Sequence, residues 1–227
     1  FFVVGIPSFD DRRVDAHSQG QLPTAKETNV SMMLLDEYKM YGDIWVTPNR
    51  DYYRDMNEKL LGVLKYGVEK GADYIIKPDD DYCVSLAVLN QTITNHEKGH
   101  ADSELYAGTN YWEGTEYQSM RGPHGETSPF MSGAIIVVSR KLAEILVGPD
   151  WVPNVLRGSY GTSSDDANLG KMIDRAKEEH NVSVNTVVNR NLIQCNLWRH
   201  KTLAELFQDC YSQDLAKKKS TLVKWSI

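Results

Sequence analysis

Hydrophobic residues fall into two kinds of pattern along the chain, and each predicts its own kind of element. Residues 1–5 and Ala134–Val138 are continuous apolar runs, and a shorter run at Tyr74–Lys77 precedes a polar segment. Such runs are typical of buried strands. Between residues 55 and 70 the apolar positions recur at three- and four-residue intervals, which predicts a helix that Gly71 ends.

The rest of the chain alternates helices with strands and long polar loops. We predict further helices at 84–98, at 139–146 with Ser139 as the N-cap, at 166–178 and from Thr202, a strand at 182–188, and loops at 7–30, 108–130 and 148–164. This rhythm predicts one α/β domain over residues 1–227, with a mostly parallel central sheet and helices on both faces.

The composition fits a well-cored domain and argues against two classes of protein. The 227 residues are 41% hydrophobic and 25% charged, with a formal net charge of −6. An acidic chain lacks the basic face that nucleic-acid binding requires, so no nucleic-acid partner is expected. No run approaches the roughly 20 apolar residues that span a bilayer, so no membrane span is predicted within the chain.

The cysteines and the glycosylation patterns provide evidence about the cellular compartment of the protein. Three cysteines are too few for a disulfide framework, and sequence alone leaves open whether Cys195 and Cys210 pair. Three acceptor tripeptides for N-linked glycans begin at Asn29, Asn90 and Asn181. Because such tripeptides also arise by chance, they favour a secretory-pathway location without establishing it.

Three adjacent carboxylates follow the strand at Tyr74–Lys77. Asp79, Asp80 and Asp81 lie where open α/β sheets bind ligands, beyond the carboxyl end of a strand. Their mutual repulsion is relieved by a cation, and oxygen ligands suit Mn²⁺ or Mg²⁺, which also coordinate phosphates. In extended backbone Asp79 and Asp81 point the same way and Asp80 the other. The alternative interpretation is a solvated acidic loop.

A collinear set of segments carries a family resemblance. Ile75–Val84, with its three aspartates, resembles the Lys-Thr-Asp-Asp-Asp-Val-Phe-Val segment of the β-1,3-galactosyltransferase-like glycosyltransferases, with Pro78 in place of the usual Thr. Further segments resemble that family in the same order: Tyr41–Ile44, Asp51–Lys59, Tyr106–Gly108, Ser128–Gly133 with Met131 in place of Cys, Ser139–Ala143, and Asp165–Gly170. The first 40 residues and the last 50 match less well.

The resemblance implies a GT-A-like fold and an enzyme. The expected reaction is the inverting transfer of a hexose or N-acetylhexosamine from a UDP-sugar to a hydroxyl of a glycan, glycoprotein or glycolipid acceptor, giving a β-1,3 linkage with Mn²⁺ or Mg²⁺ as cofactor. Members of the family are mostly Golgi-resident type II membrane proteins. By that resemblance, an anchoring helix is expected upstream of residue 1.

The resemblance also assigns roles to individual residues. It makes Asp81 a metal ligand and Asp166 the catalytic base, because an inverting transfer needs a group that accepts the proton of the acceptor hydroxyl. Residues expected to bind the nucleotide-sugar are Asp79, Asp80, Lys59, Ser132, Gly133 and Asp165. Asp165 and Asp166 also open a predicted helix after Ser164, so helix capping is an alternative role, and one residue can do both.

Two assignments stay open at this stage. The family has a late histidine that completes the metal site, and here its place falls near Asn196, so His200 fits only after a short insertion; a surface histidine is the alternative. Lys59 either meets the diphosphate or lies on a solvated helix face. Histidines without ligand spacing are predicted at the surface: His17, His96, His100, His124 and His180.

Two other functions remain open from the residues. The same acidic cluster would serve a nucleotide-sugar hydrolase or phosphotransferase, which product analysis would distinguish from a transferase. A third possibility is a catalytically inactive carbohydrate- or cation-binding domain. The presence of Asp166 as a usable base argues against that third function.

Overall fold

The computed structural model describes residues 2–6, 33, 36–37, 39–42, 44–50, 56–79, 82–113, 128–148 and 164–196. The strands are β1 (Phe2–Ile6), β2 (Ile44–Arg50), β3 (Tyr74–Pro78), β4 (Tyr82–Val84), β5 (Glu104–Gly108), β6 (Tyr111–Trp112), β7 (Phe130–Met131), β8 (Ile135–Ser139), β9 (Val184–Val188) and β10 (Ile193–Asn196). The helices are α1 (Met56–Glu69), α2 (Leu86–Gly99), α3 (Arg140–Leu146) and α4 (Asp165–His180), with a 3₁₀ turn at Arg190–Leu192.

The main sheet has four strands in the order β3-β8-β5-β9. Strand β8 is antiparallel to both β3 and β5, whereas β5 and β9 are parallel. The α/β class is confirmed, but this sheet is mixed, so the mostly parallel arrangement is not confirmed. Apolar runs report burial and not strand direction, so the sequence could not reveal that β8 lies between β3 and β5.

Alternate side chains of β8 pack into two apolar clusters. Ile136 and Val138 join a cluster with the inner residues of α1, α3 and α4, whereas Ile135 and Val137 join one that contains Leu89 of α2. All five residues of β8 are buried. Burial of both sets explains why β8 is a continuous apolar run and not an alternating one.

The residues predicted to end or cap helices were partly confirmed. Helix α1 ends at Glu69, and Gly71 follows with φ of 70°, as its position as terminator predicts. Ser139 is the N-cap residue of α3, but its side chain makes no cap hydrogen bond. Its hydroxyl accepts from the Leu105 N–H and donates to Glu104, so it stabilises the neighbouring strand β5 instead.

His96 corrects the prediction that it lies at the surface. It is 5% exposed, and its Nδ1 lies 3.1 Å from the side-chain amide of Asn185 on β9. Burial is the main cause that lowers its pKa, and nearby His100 adds to the effect. Leu89, Thr92 and His96 are the buried residues of α2, and their spacing is that of one helical face, which was the missed signal.

The region predicted as a long loop at 108–130 contains two short strands. Strand β6 pairs with β7 in an antiparallel register, and residues 114–127 between them lie outside the described part of the chain. The predicted loops at 7–30 and most of 148–164, and the predicted helix from Thr202, also lie outside it. Within the described residues, no helix combines the length and apolar character needed to cross a bilayer.

Helix α4 packs closely against the segment that contains β7, and Gly170 lies at the point of contact. A Cβ built on Gly170 would lie 2.5 Å from the Pro129 carbonyl oxygen and 2.6 Å from the Phe130 Cβ. Both distances are far inside van der Waals contact, so only glycine permits this approach. The packing fixes the position of α4, whose first turn carries Asp165 and Asp166.

We expect Gly170→Ala to destabilise the fold by about 1–3 kcal/mol or more, because a backbone carbonyl cannot move aside for the new methyl group. A thermal unfolding scan measures the effect. The matched control is Gly99→Ala at the end of α2, where nothing lies within 4 Å of the new Cβ. That control should be neutral or slightly stabilising. Equal melting temperatures for the two variants would contradict the packing described here.

Candidate active site

The candidate site lies at one edge of the main sheet. Strand β3 ends beside the start of β8, since Pro78 pairs with Ile135, and β5 ends beside β8 and β9, since Gly108 pairs with both Ile136 and Val188. The segments that follow β3, β5 and β9 and the one that precedes β8 therefore meet at this edge. This is where α/β sheets most often bind ligands.

Lys77, near the end of β3, contacts three segments at this edge. Its ammonium nitrogen lies 2.6 Å from Asp79 Oδ1 and 3.3 Å from Asp165 Oδ2, and it donates a 3.3 Å hydrogen bond to the Gly133 carbonyl. The side chains of Lys77 and Asp165 are only 12% and 13% exposed. Lys77 therefore joins the acidic strand end, the turn before β8 and the first turn of α4.

The charge of Lys77 depends on those carboxylates. Burial by itself lowers the pKa of the ammonium, but Asp165 and Asp79 outweigh it and raise the net pKa above the ordinary value of 10.5. A raised pKa in the folded state means that this group stabilises the fold fully below its ordinary pKa. The contribution is lost only as the pH rises through the raised value, so it is intact at neutral pH.

Asp166 is held by three donors. Its Oδ2 accepts from the Gly133 N–H at 3.0 Å, and its Oδ1 accepts from the Ala167 N–H at 2.8 Å and from the Ser164 hydroxyl. An ionised carboxylate has about four acceptor sites, so these donors fix its orientation and leave capacity for one more. The carboxylate therefore has a defined direction and can still accept a proton.

The local sequence explains how α4 presents this carboxylate. Ser164 is the N-cap residue of α4, yet its hydroxyl binds Asp166 and makes no cap hydrogen bond to the backbone. Two aspartates in the first turn are stabilised by the positive end of the helix dipole. One turn further, buried Asn168 donates to the Asn57 side chain of α1 at 2.9 Å, which ties the start of α4 to a second helix.

The structure brings together several of the residues predicted from sequence. Asp79 and Asp165 meet through Lys77, and Gly133 contacts both Lys77 and Asp166 through its backbone. Ser132 is adjacent, and its N–H donates to the Asn110 carbonyl. Asp166 binds the N–H of Ala167 in its own helix, and its role as the base stays a prediction.

Other predicted residues are not brought into this cluster by described contacts. Lys59 lies in the first turn of α1, half-buried and two residues after Asn57, and its role at a diphosphate stays a prediction. Asp80, Asp81 and His200 lie outside the described residues, so their assignments also stay predictions.

Lys77 and Ser164 are the members of this cluster that the sequence analysis did not assign. A signal for Lys77 was present, because a lysine inside a buried apolar strand needs a charged partner. Which carboxylate would meet it depends on the docking of α4, and nothing in the local sequence specifies that. Ser164 was recognised only as part of a helix start.

The charges at the edge suit a divalent cation. The carboxylates of Asp79 and Asp165 pair with the Lys77 ammonium, and that of Asp166 accepts from the nearby Gly133 N–H. Asp80 and Asp81 add two more by their place in the chain. Among the described residues, no three histidine, cysteine or acidic side chains are arranged to hold a metal by themselves. A metal site here would therefore need a ligand from outside the described residues, such as Asp81 or His200.

Comparison with known families identifies the class of protein. The model of the Galactosyltransferase family matches residues 22–181, a span that includes β3, β8 and the first turn of α4. The chain belongs to the Galactosyltransferase family. It is therefore a glycosyltransferase by family, and the mixed α/β architecture is compatible with the GT-A-like fold that the sequence predicted.

Two curated relatives from Arabidopsis thaliana match this Galactosyltransferase-family chain. One is the beta-1,3-galactosyltransferase GALT1, 28% identical over 136 residues that cover 52% of this chain and 20% of the relative. The other is the hydroxyproline O-galactosyltransferase GALT6, 29% identical over 135 residues that cover 56% of this chain and 19% of the relative. The matched part thus spans about a fifth of each relative's length.

Proposed function

We propose that this chain is an inverting, metal-dependent glycosyltransferase. It moves a hexose or N-acetylhexosamine from a UDP-sugar to an acceptor hydroxyl and forms a β-1,3 linkage. The observation that carries the proposal is the oriented carboxylate of Asp166. The Gly133 N–H fixes it at the sheet edge where the acidic segment, Asp79–Asp81, begins. Family membership supports the reaction class, and one relative's name supports the linkage.

In the proposed reaction, Asp166 accepts the proton of the acceptor hydroxyl as its oxygen attacks the anomeric carbon of the donor. The new carbon–oxygen bond forms on the face opposite the nucleotide, and the bond to the diphosphate oxygen breaks with its electron pair. The configuration at that carbon is inverted, and no covalent enzyme intermediate forms. Asp166 ends the step protonated and returns the proton to water.

Charge balance at the leaving group defines the roles of the acidic segment. Asp81 would hold Mn²⁺ or Mg²⁺, and such an ion, when bound, would neutralise the negative charge that develops on the departing diphosphate. Asp79 has a different role, because its carboxylate contacts the Lys77 ammonium. We assign Asp79 to orienting the nucleotide-sugar through its hydroxyl groups, with the backbone of Ser132 and Gly133 beside it.

The proposed location is the Golgi lumen. Two of the three glycan acceptor asparagines lie in the described part of the chain. Asn90 on α2 and Asn181 at the end of α4 are both exposed, as glycan attachment requires. Detection of N-linked glycans at these two positions on protein made in a eukaryotic host would support this location.

A donor screen tests the proposed function directly. The purified chain is mixed with Mn²⁺, a panel of UDP-sugars and hydroxyl-bearing acceptors, and both UDP release and the fate of the sugar are measured. Sugar attached to the acceptor with inverted configuration supports the transferase. Free sugar released at the same rate without acceptor would identify a hydrolase instead.

The acidic segment gives a sharper expectation. Asp81→Ala should remove Mn²⁺-dependent UDP binding, because one carboxylate ligand of the proposed ion is lost, while the fold persists. Isothermal titration of UDP with and without Mn²⁺ measures this. The matched control is Asp102→Ala, an exposed aspartate in the turn between α2 and β5. If Asp81→Ala binds UDP–Mn²⁺ as tightly as that control, Asp81 is not the ligand.

A further inference from the structure

The short strand after the acidic segment pairs with the last described strand. Strands β4 and β10 are antiparallel, and Cys83 is directly opposite Cys195 in their register. The same register places Tyr82 opposite Asn196. Two of the three cysteines of the chain are therefore backbone partners in one strand pair, just after a shift of register between Ile193 and Cys195, although they are far apart in sequence.

The geometry of such a pair matches that of a disulfide. Residues directly opposite in an antiparallel pair carry their side chains on the same face, with Cα atoms about 4.5–5.5 Å apart. A disulfide requires a Cα separation of about 4.4–6.8 Å. Backbone partners of this kind therefore meet the Cα separation that a disulfide requires.

A backbone contact beside the pair connects the same two segments. The Ser85 N–H donates to the Leu192 carbonyl at 2.8 Å, and the Leu192 side chain is fully buried. One extra residue of β10 lies between this contact and the cysteine pair, because the register shifts between Ile193 and Cys195.

We propose that Cys83 and Cys195 are joined by a disulfide when the protein matures in an oxidising compartment. This register favours that bond over one between Cys195 and Cys210, which sequence alone left open. It leaves Cys210 as the odd cysteine. The inference rests on strand register and does not depend on the proposed enzymatic function.

Glutathione disulfide is a sufficient oxidant for this bond. The thiolate of one cysteine attacks a sulfur of glutathione disulfide and releases one glutathione, and the second cysteine attacks the mixed disulfide and releases the other. Two thiols thus lose two electrons and two protons to one glutathione disulfide. Burial raises the pKa of the half-buried Cys83 thiol, so little thiolate is present at neutral pH and the exchange is slow.

The bond would fix the strand that follows the acidic segment. Strand β4 has three residues and pairs with β10 in a two-stranded sheet, and Cys83 comes two residues after Asp81. A cross-link there ties the acidic segment to a strand from the far end of the described chain. Because it closes a long loop, it should also stabilise the fold considerably.

Peptide mapping identifies the bond. The full chain, reduced and then equilibrated with a mixture of reduced and oxidised glutathione, is alkylated, cleaved with trypsin and measured by mass spectrometry without reduction. Trypsin does not cleave before Pro78, so Cys83, Cys195 and Cys210 fall in the separate peptides 71–98, 191–199 and 202–217. We expect 71–98 linked to 191–199, and the linked mass should disappear after reduction.

Two other results of the mapping would overturn the proposal. One is a link between 191–199 and 202–217, and the other is alkylation of all three cysteines after full oxidation. Two serine variants serve as matched controls. Cys210→Ser should retain the linked pair of peptides, and Cys83→Ser should lose it.

Thermal unfolding provides an independent measurement. Oxidation should raise the Tm of the wild type and of Cys210→Ser by on the order of 10 °C, and that of Cys83→Ser should not change. A rise that persists in Cys83→Ser would assign the stabilisation to another pair and would also overturn the proposal.

Discussion

Replacing Asp166 with asparagine will lower the rate of sugar transfer by about 100-fold or more, because an amide cannot accept a proton at neutral pH. Turnover at saturating UDP-sugar and acceptor measures the effect. The donor affinity should change little, since the proposed contacts of the nucleotide lie with the acidic segment. The loss should therefore appear in kcat and much less in the KM for the donor.

Asp166→Asn should also lower the stability of the fold. The carboxylate accepts from Gly133, Ser164 and Ala167, and an amide oxygen cannot serve donors on both sides. We expect a loss of about 1–2 kcal/mol, so turnover must be compared well below the Tm of the variant. The control is Asp174→Asn, an aspartate of the same helix paired with Lys177. Normal turnover in Asp166→Asn would refute the proposed base.

Replacing Lys77 with methionine will lower the free energy of unfolding by about 3 kcal/mol at neutral pH. The substitution leaves Asp79 and Asp165 without their shared ammonium, and breaking a buried ion pair from one side is strongly destabilising. For a chain of this size that corresponds to a Tm about 6–12 °C lower. Thermal unfolding of the two proteins at pH 7 measures the difference.

The pH dependence of this stability deficit tests whether the lost ammonium of Lys77 causes it. The wild type loses the contribution of the Lys77 ammonium as the pH rises through its raised pKa, so the deficit of the variant should persist at neutral pH and shrink as the pH rises above 10.5. Lys77→Arg, which keeps the charge, should recover part of the stability. The control is Lys65→Met, whose side chain is 63% exposed and whose partner Glu69 lies 4.0 Å away. Its effect should stay below about 1 kcal/mol. A pH-independent deficit in Lys77→Met would point to lost packing instead.

Elements of this fold were predictable where burial follows a simple period. The helix predicted at 55–70 is Met56–Glu69, and the strand predicted at Ala134–Val138 is Ile135–Ser139. Both elements depend mainly on which side chains are apolar, and the local sequence specifies those positions directly. Strand order and direction depend on how distant segments pack, so the position of β8 between β3 and β5 was not predictable from its apolar run.

The candidate site was predictable to a similar extent. The type and order of the acidic residues singled out Asp79, Asp165 and Asp166, and the structure places all three near Lys77 or Gly133. The central role of Lys77 was missed because its partner Asp165 comes from a helix far along the chain. That helix reaches the strand only because Gly170 allows it to pass close to Pro129 and Phe130.

The order of strands in the main sheet also has a consequence for biosynthesis. Strand β5 lies between β8 and β9, and its parallel partner β9 is made last among the four. At ribosomal speeds the residues between Gly108 and Val184 take on the order of 4–15 s to be added. During that time one edge of β5, with its apolar Leu105 and Ala107, has no strand to pair with. The nascent chain thus presents an open sheet edge until β9 is added, and such an edge is a template for pairing with other chains.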